Sequence, residues 1–199
     1  FPKNDNLPSF PIWSMEFGAT YPFEDSTPFA CSKNELEKYK GNFGESLIGF
    51  NTKKELFNHL PSYARTPQYN FPTWKKHYIR SNRQFYEKYK SLIYDTVIKI
   101  KNLNIPSHQK FEWNCQGEER NLNKLIIQFR GSGVRVKKAD YFPSLVCVST
   151  QIPILGWQNR YISPSEGARI QCLNGIKLPE NIGTCFGALG NAVNVDLVK

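Results

Sequence analysis

The sequence predicts an α+β fold, and three observations carry that prediction. From Trp74 to Leu103 an apolar residue recurs every three or four positions, the period of an amphipathic helix. After Pro106 the texture changes to short segments rich in β-branched and aromatic residues, the pattern of a small sheet. Near the end, Ser163-Pro164 followed by Glu166 forms a capping box that opens a further helix.

Composition bounds the rest. At 199 residues the chain forms one large domain or two small ones, and 40% hydrophobic with 14% aromatic residues is enough for a core. No apolar run reaches the length of a membrane span, so no membrane partner is expected. Five cysteines (Cys31, Cys115, Cys147, Cys172, Cys185) without Cys-x-x-Cys spacing, beside three histidines, predict neither a disulfide framework nor a zinc site. Reduced thiols and a cytoplasmic location are the expectation. The formal charge of +9 favours a polyanionic partner, because neutralising phosphates releases counterions.

Taken in order, residues 1–30 are rich in Pro and aromatics, which argues against a long helix or a central strand. An extended segment anchored by its aromatic side chains is expected. From Lys33 to Leu60 the pattern is polar and helical, broken by Gly41, Gly44 and Gly49 and closed by Pro61. Ser32 with Glu35, and Thr52 with Glu55, are helix starts. The long helix follows, its stripe made by Tyr86, Tyr89, Ile93, Val97, Ile100 and Leu103. It also carries eight bases against two acids between 74 and 101. Lys99 and Lys101 are assigned to a solvated face, whereas Lys75, Lys76, Arg80 and Arg83 are denser and are phosphate candidates.

The expected strands are Phe111–Trp113, Lys124–Phe129, Val134–Val136 and Leu145–Thr150. Between the second and third lies a basic glycine-containing turn with Arg130, Ser132, Gly133, Arg135, Lys137 and Lys138. Glycine lets a backbone approach a partner closely, Ser132 can donate to phosphate, and an arginine can fork onto guanine or phosphate. These residues are candidates for DNA contact; the alternative is a basic hairpin turn in water.

In the last forty residues, Ala168, Ile170 and Leu173 are expected to pack inward, with Glu166 and Arg169 close enough to pair on one helix face. Gly190-Asn191 is expected to precede a second short helix, whose unpaired N–H groups could hold an anion. Arg160-Tyr-Ile-Ser-Pro-Ser-Glu-Gly-Ala-Arg-Ile-Gln171 and then Gly190-Asn-Ala-Val193 resemble the last two signature motifs of DNA cytosine-5 methyltransferases. Arg160, Pro164, Glu166, Ala168, Arg169 and Gln171 match the first, and all four residues match the second. Ser165 departs where Arg is usual, and Cys172-Leu-Asn174 departs where Gly-Phe-Pro is usual. Met15-Glu-Phe-Gly-Ala-Thr-Tyr-Pro22 resembles a segment of bacterial members, and Arg130-Gly-Ser-Gly-Val-Arg135 resembles a recurring piece of their recognition regions.

That resemblance implies a division. Residues 1–30 would be an extended segment from the catalytic domain or linker, and residues 31–158 a DNA target recognition domain with a long helix and a small β-sheet. Residues 159–199 would supply the C-terminal helices of a Rossmann-like methyltransferase domain. It implies double-stranded DNA as partner and S-adenosyl-L-methionine as cofactor, with Gly190, Asn191, Ala192 and Val193 at the cofactor. It also implies a restriction-modification setting and an N-terminal catalytic half, in the same chain or a separate subunit. The Pro-Cys motif of the family's nucleophile does not occur in this sequence, so the chain alone is expected to be inactive. A rival reading is a binding module for DNA or single-stranded RNA, stacking bases on aromatics such as Trp74, Tyr78, Phe85 and Tyr86.

Overall fold

A computed structural model describes residue 8 and residues 10–197 of the chain. Among these, helices and short strands mix as expected of an α+β protein. They gather into two compact units, Phe10–Lys110 and the part from Phe111 onward. This grouping follows packing, and it cuts the chain at places other than the boundaries at 30/31 and 158/159 expected from the sequence.

The first unit is organised on the long helix α3 (Thr73–Asn102), which starts directly after Pro72. Its buried positions are Lys75, Ile79 and Asn82, all in the first third. The predicted stripe from Tyr86 to Ile100 is only half-buried, and Leu103 is exposed. Apolar periodicity therefore located the helix, while its burial is concentrated N-terminal to the stripe.

The opening segment lies against that first third, led by the two-residue strand β1 (Ile12–Trp13). The buried Asn82 side chain accepts from the Trp13 N–H at 2.8 Å and donates to the Pro11 carbonyl at 3.0 Å. Pro11 lacks an N–H and Trp13 keeps one, so a single amide serves the irregular backbone on both sides of Ile12. Trp13, Met15, Phe17, Ala19 and Tyr21 are buried, which bears out packing as the role of these side chains. Gly18 and Gly44 both have positive φ, and a Cβ on Gly18 would stand 3.2 Å from the Gly44 Cα. Two small helices, α1 (Lys33–Leu36) and α2 (Lys53–Asn58), each open with the predicted capping box. Leu36 and Leu56 then close the core with Leu47, Leu60, Phe71 and Ile79.

In the second unit, β2 (Lys110–Asn114), β3 (Ile126–Arg130) and β4 (Gly133–Lys137) correspond to three predicted strands. β4 runs parallel to β2 and antiparallel to β3. β5 (Ile154–Leu155) and β6 (Arg160–Tyr161) continue the sheet on the far side of β3. The fourth predicted strand, Leu145–Thr150, is not one. It is an open loop ending in a single 3₁₀ turn at Ser149–Gln151. Leu145 belongs to the cluster of Leu155, Ile162, Phe186 and Leu189, so packing overrides β propensity here.

Helix α4 (Pro164–Ile170) carries the predicted capping box at Ser163 and Glu166, with Pro164 in its first turn. Helix α5 spans Ile182–Asn191, capped by Asn181, whose side chain accepts from the Thr184 N–H. This corrects the sequence reading, which placed a second short helix after Gly190-Asn191. Cys185, Phe186 and Leu189 recur at helical spacing and are all buried, which holds the helix upstream of Asn191. After it Ala192 is extended, and only a 3₁₀ turn at Val195–Leu197 follows.

Candidate nucleic-acid interface and C-terminal motifs

The basic turn predicted from sequence is the hairpin of β3 and β4, joined by Gly131 and Ser132 alone. Gly133 has φ 141°, a conformation that L side chains rarely adopt, so the turn requires glycine there. Cross-strand pairing sets the faces: Arg130 lies opposite Gly133, Gln128 opposite Arg135, and Ile126 opposite Lys137. Side chains alternate along a strand, so Arg130, Arg135 and Lys137 share one face. Ser132 is exposed at the tip.

On that face the cations differ. Arg135 Nε lies 2.7 Å from Glu112 Oε2 on β2, directly across in register. That N–H has no aligned hydrogen bond, so the contact is a Coulombic pair. Lys137 Nζ stands 5.2 Å over the Tyr141 ring. Arg130 is half-buried beside the tip. Lys138 falls on the other parity and pairs with Glu118 at 3.2 Å, which raises its pKa. Gln128 is buried at the centre of the face and donates to the Gln151 carbonyl at 2.9 Å, anchoring the loop expected to be a strand.

The four α3 candidates fare differently. Lys75 is buried, with Nζ donating to the Tyr63 carbonyl at 3.0 Å and lying over the Phe71 ring. Burial lowers its pKa. Arg83 pairs with the buried Glu16 at 3.0 Å and sits between the Tyr21 and Phe23 rings. Both side chains serve the core of the first unit in place of the expected phosphate contact. Arg80 forks onto Glu24 through Nε and Nη2 at 2.9 and 2.7 Å, and Lys76 stays half-exposed.

The first C-terminal motif is a local ion-pair cap. Arg160 Nη1 and Nη2 donate to Glu166 Oε2 and Oε1 at 2.8 and 2.7 Å, while the Ser163 N–H donates to Oε2 at 2.7 Å. Glu166 thus pairs with Arg160, six residues back, and not with Arg169 as expected; Arg169 is exposed. The Arg160 hydrogen bonds, then those from Ser163, hold the Glu166 carboxyl down to about 2. Its folded value lies below its unfolded value of roughly 4.3, so the ionised form is the stabilising one. That stability is present above the unfolded value and lost as pH falls towards the folded one. Glu166→Gln is therefore expected to melt below wild type at neutral pH, with the gap closing between about pH 4.3 and 2. Melting curves across that range check this; a gap indifferent to pH would remove the assignment.

The second motif is tied to the first. Gln171 Nε2 donates to the Leu189 carbonyl at 3.2 Å, and the Val195 N–H donates to the Gln171 carbonyl at 3.2 Å. Asn194 Nδ2 donates to the Ile170 carbonyl at 3.0 Å. Gly190 lies against backbone, where an added Cβ would meet Val146 C and Cys147 N at 2.5 Å each. Asn191 Oδ1 accepts from Cys147 Sγ at 3.0 Å. Gly190 and Asn191 end α5, where carbonyls and the negative end of the helix dipole gather. These two residues do not fit a cradle for a carboxylate. Ala192 is half-exposed and Val193 exposed.

Sequence reasoning missed Glu112, Gln128 and Cys147. Glu112 sits in the alternation Phe111-Glu-Trp113, which marks a strand but does not say what lies across it.

Among the described residues no helix is long and apolar enough to cross a membrane. No protein-family model matches the chain, and no solved structure matches it. The chain is 33% identical over 138 residues to "Type II methyltransferase M.AluI" of Cellulosimicrobium cellulans, a match that takes in 64% of this chain and 25% of the relative. It thus spans about a quarter of that protein's length. The resemblance carried by the two C-terminal motifs is borne out by this relationship: the chain is a homologue of a type II methyltransferase.

Proposed function

We propose that this chain is the DNA-recognising and C-terminal motif portion of a DNA cytosine-5 methyltransferase. Residues 31–158 act as the target recognition domain, residues 1–30 connect to the catalytic domain, and residues 159–199 complete it. The observation that carries the reading is the single sheet face bearing Arg130, Arg135 and Lys137, in a chain related to a methyltransferase. Such a face joins phosphate-neutralising charge with side chains that can fork onto guanine. The substrate is double-stranded DNA, and the complete enzyme takes its methyl group from S-adenosyl-L-methionine.

In the complete enzyme the target cytosine leaves the duplex and a cysteine thiolate adds to its ring. The family's nucleophile lies in a Pro-Cys motif that does not occur in this sequence, so that step is assigned to the rest of the enzyme. Cys115 and Cys185 are buried with raised pKa values, and Cys147 is spent on Asn191. The contribution of this chain is binding and orientation. Gly190 and Asn191 support it by seating the end of α5 against the loop at Val146 and Cys147, since their geometry does not fit the cofactor's carboxylate.

Salt-titrated binding of the chain to a 30-base-pair duplex pool tests the reading. Arg130→Gln and Arg135→Gln are each expected to reduce the salt slope by about one if the lost contact is to phosphate. A bidentate guanine contact would instead cost roughly 1–3 kcal/mol at one base position. Unchanged affinity and slope in both variants would overturn the assignment of this face.

A further inference from the structure

The sheet face proposed for DNA carries a carboxylate beside Arg135, which charge complementarity to a polyanion does not explain. Glu112 lies across from Arg135 in register, its Oε2 2.7 Å from Arg135 Nε, and both side chains are about one-third exposed. Arg135 in turn lies across from Gln128, which is buried and fixed to the Gln151 carbonyl. The guanidinium is thus restrained by charge from one neighbouring strand and packed beside an immobile amide on the other. Its Nε is buried, so any outward recognition falls to the two Nη groups.

The geometry points to Glu112 as a specificity-determining residue that reserves Arg135 for a base edge and keeps phosphate away from it. This rests on the DNA-binding reading of the same face. A phosphate brought to Arg135 also comes close to the Glu112 carboxylate, and the two anions repel. A guanine edge offers neutral acceptors and meets no such repulsion, so the pair penalises backbone binding more than base binding. An arginine without its carboxylate neighbour would accept any phosphate within reach. Its long side chain would also sample more rotamers before binding.

The consequence runs against intuition: removing Glu112 strengthens binding to unrelated DNA while weakening discrimination. The wild-type chain is first used to select a preferred duplex from a randomised 30-base-pair pool. Wild type, Glu112→Gln and Glu119→Gln are then titrated with that duplex and with the unselected pool across a salt series. Glu119 pairs with the exposed Lys124, so its variant makes the same change in net charge away from the Glu112–Arg135 pair. Glu112→Gln is expected to bind the unselected pool more tightly, with a salt slope steeper by about one, and to lose preference for the selected duplex. Glu119→Gln is expected to keep the wild-type preference.

Equal gains in both variants would reduce the effect to net charge and overturn the proposal. So would a Glu112→Gln chain with unchanged slope and preference, even if its melting temperature falls, because that marks a purely structural pair. Failure of the wild-type chain to bind any duplex would instead take down the reading of the face, and this inference with it.

Discussion

Gly190→Val is expected to destabilise the second unit severely before any ligand is considered. A Cβ at Gly190 would stand 2.5 Å from Val146 C and from Cys147 N, and both are backbone atoms. No change of rotamer relieves a clash with backbone, so the loop at 146–147 or the end of α5 must move. Overpacking of well-packed sites costs roughly 1–3 kcal/mol, and a branched side chain against backbone belongs at or above the top of that range. Moving α5 would also strain the Gln171–Leu189 and Cys147–Asn191 hydrogen bonds, which join α5 to the first motif and to the loop. Gly187 supplies the control, because a Cβ there meets nothing within 4 Å. Gly187→Ala, inside the same helix, is expected to stabilise by about 0.4–1 kcal/mol. Thermal melts of the two variants beside wild type decide the matter. A Gly190→Val chain that melts with wild type would show that the glycine does not serve the fold, and would return it to a ligand.

What the sequence made legible was local. The three capping boxes at Ser32, Thr52 and Ser163 each need only residues three apart, and all three form. Helix α3 announced itself because its period persists over many turns. Helix α5 was missed because Gly183, Gly187 and Gly190 resemble a link, although Cys185, Phe186 and Leu189 hold the helical period. Leu145–Thr150 has strand-like composition, but Leu145 packs into the cluster with Phe186 and Leu189, Val148 is exposed, and the backbone pairs with no strand.

The basic residues show the deeper difficulty. A count of charge along α3 cannot separate Lys75, taken by the Tyr63 carbonyl twelve residues earlier, from Lys76 beside it. Nor can it foresee that Arg83 meets Glu16, 67 residues away. On the sheet, by contrast, alternation carries Arg130, Arg135 and Lys137 to one face once the register of a two-residue hairpin is known. That register follows from the glycine needed at position 133. The candidate face was therefore within reach of the sequence, while its opposing carboxylate at Glu112 was not.

Arg83→Met is expected to be among the most destabilising single changes in the first unit, and its effect depends on pH in a defined direction. Glu16 is fully buried, and Arg83 Nε donates to its Oε2 at 3.0 Å. Tyr63 Oη donates to Oε1 at 2.8 Å, and Tyr21 donates to the same oxygen. Burial raises the Glu16 pKa, and the Arg83 charge is the largest influence opposing that rise. Removing one partner of a buried ion pair leaves an uncompensated charge, which costs roughly 3–5 kcal/mol. The carboxyl then escapes part of that cost by taking a proton.

Because the folded pKa of Glu16 lies above its unfolded value, the folded state binds the proton more tightly, and stability falls as pH rises through that window. Losing Arg83 widens the window upward. The gap between Arg83→Met and wild type should therefore be largest at neutral pH and shrink as the solution is acidified towards the carboxyl range. Urea unfolding at several pH values measures it. Arg83→Lys, which keeps the charge, should recover part of the loss. The double variant Glu16→Gln with Arg83→Met should be more stable than Arg83→Met alone, since no buried charge is left unpaired. A loss in Arg83→Met that is constant across pH and undiminished in the double variant would mean that Arg83 acts through its packing on Tyr21 and Phe23, and not through Glu16.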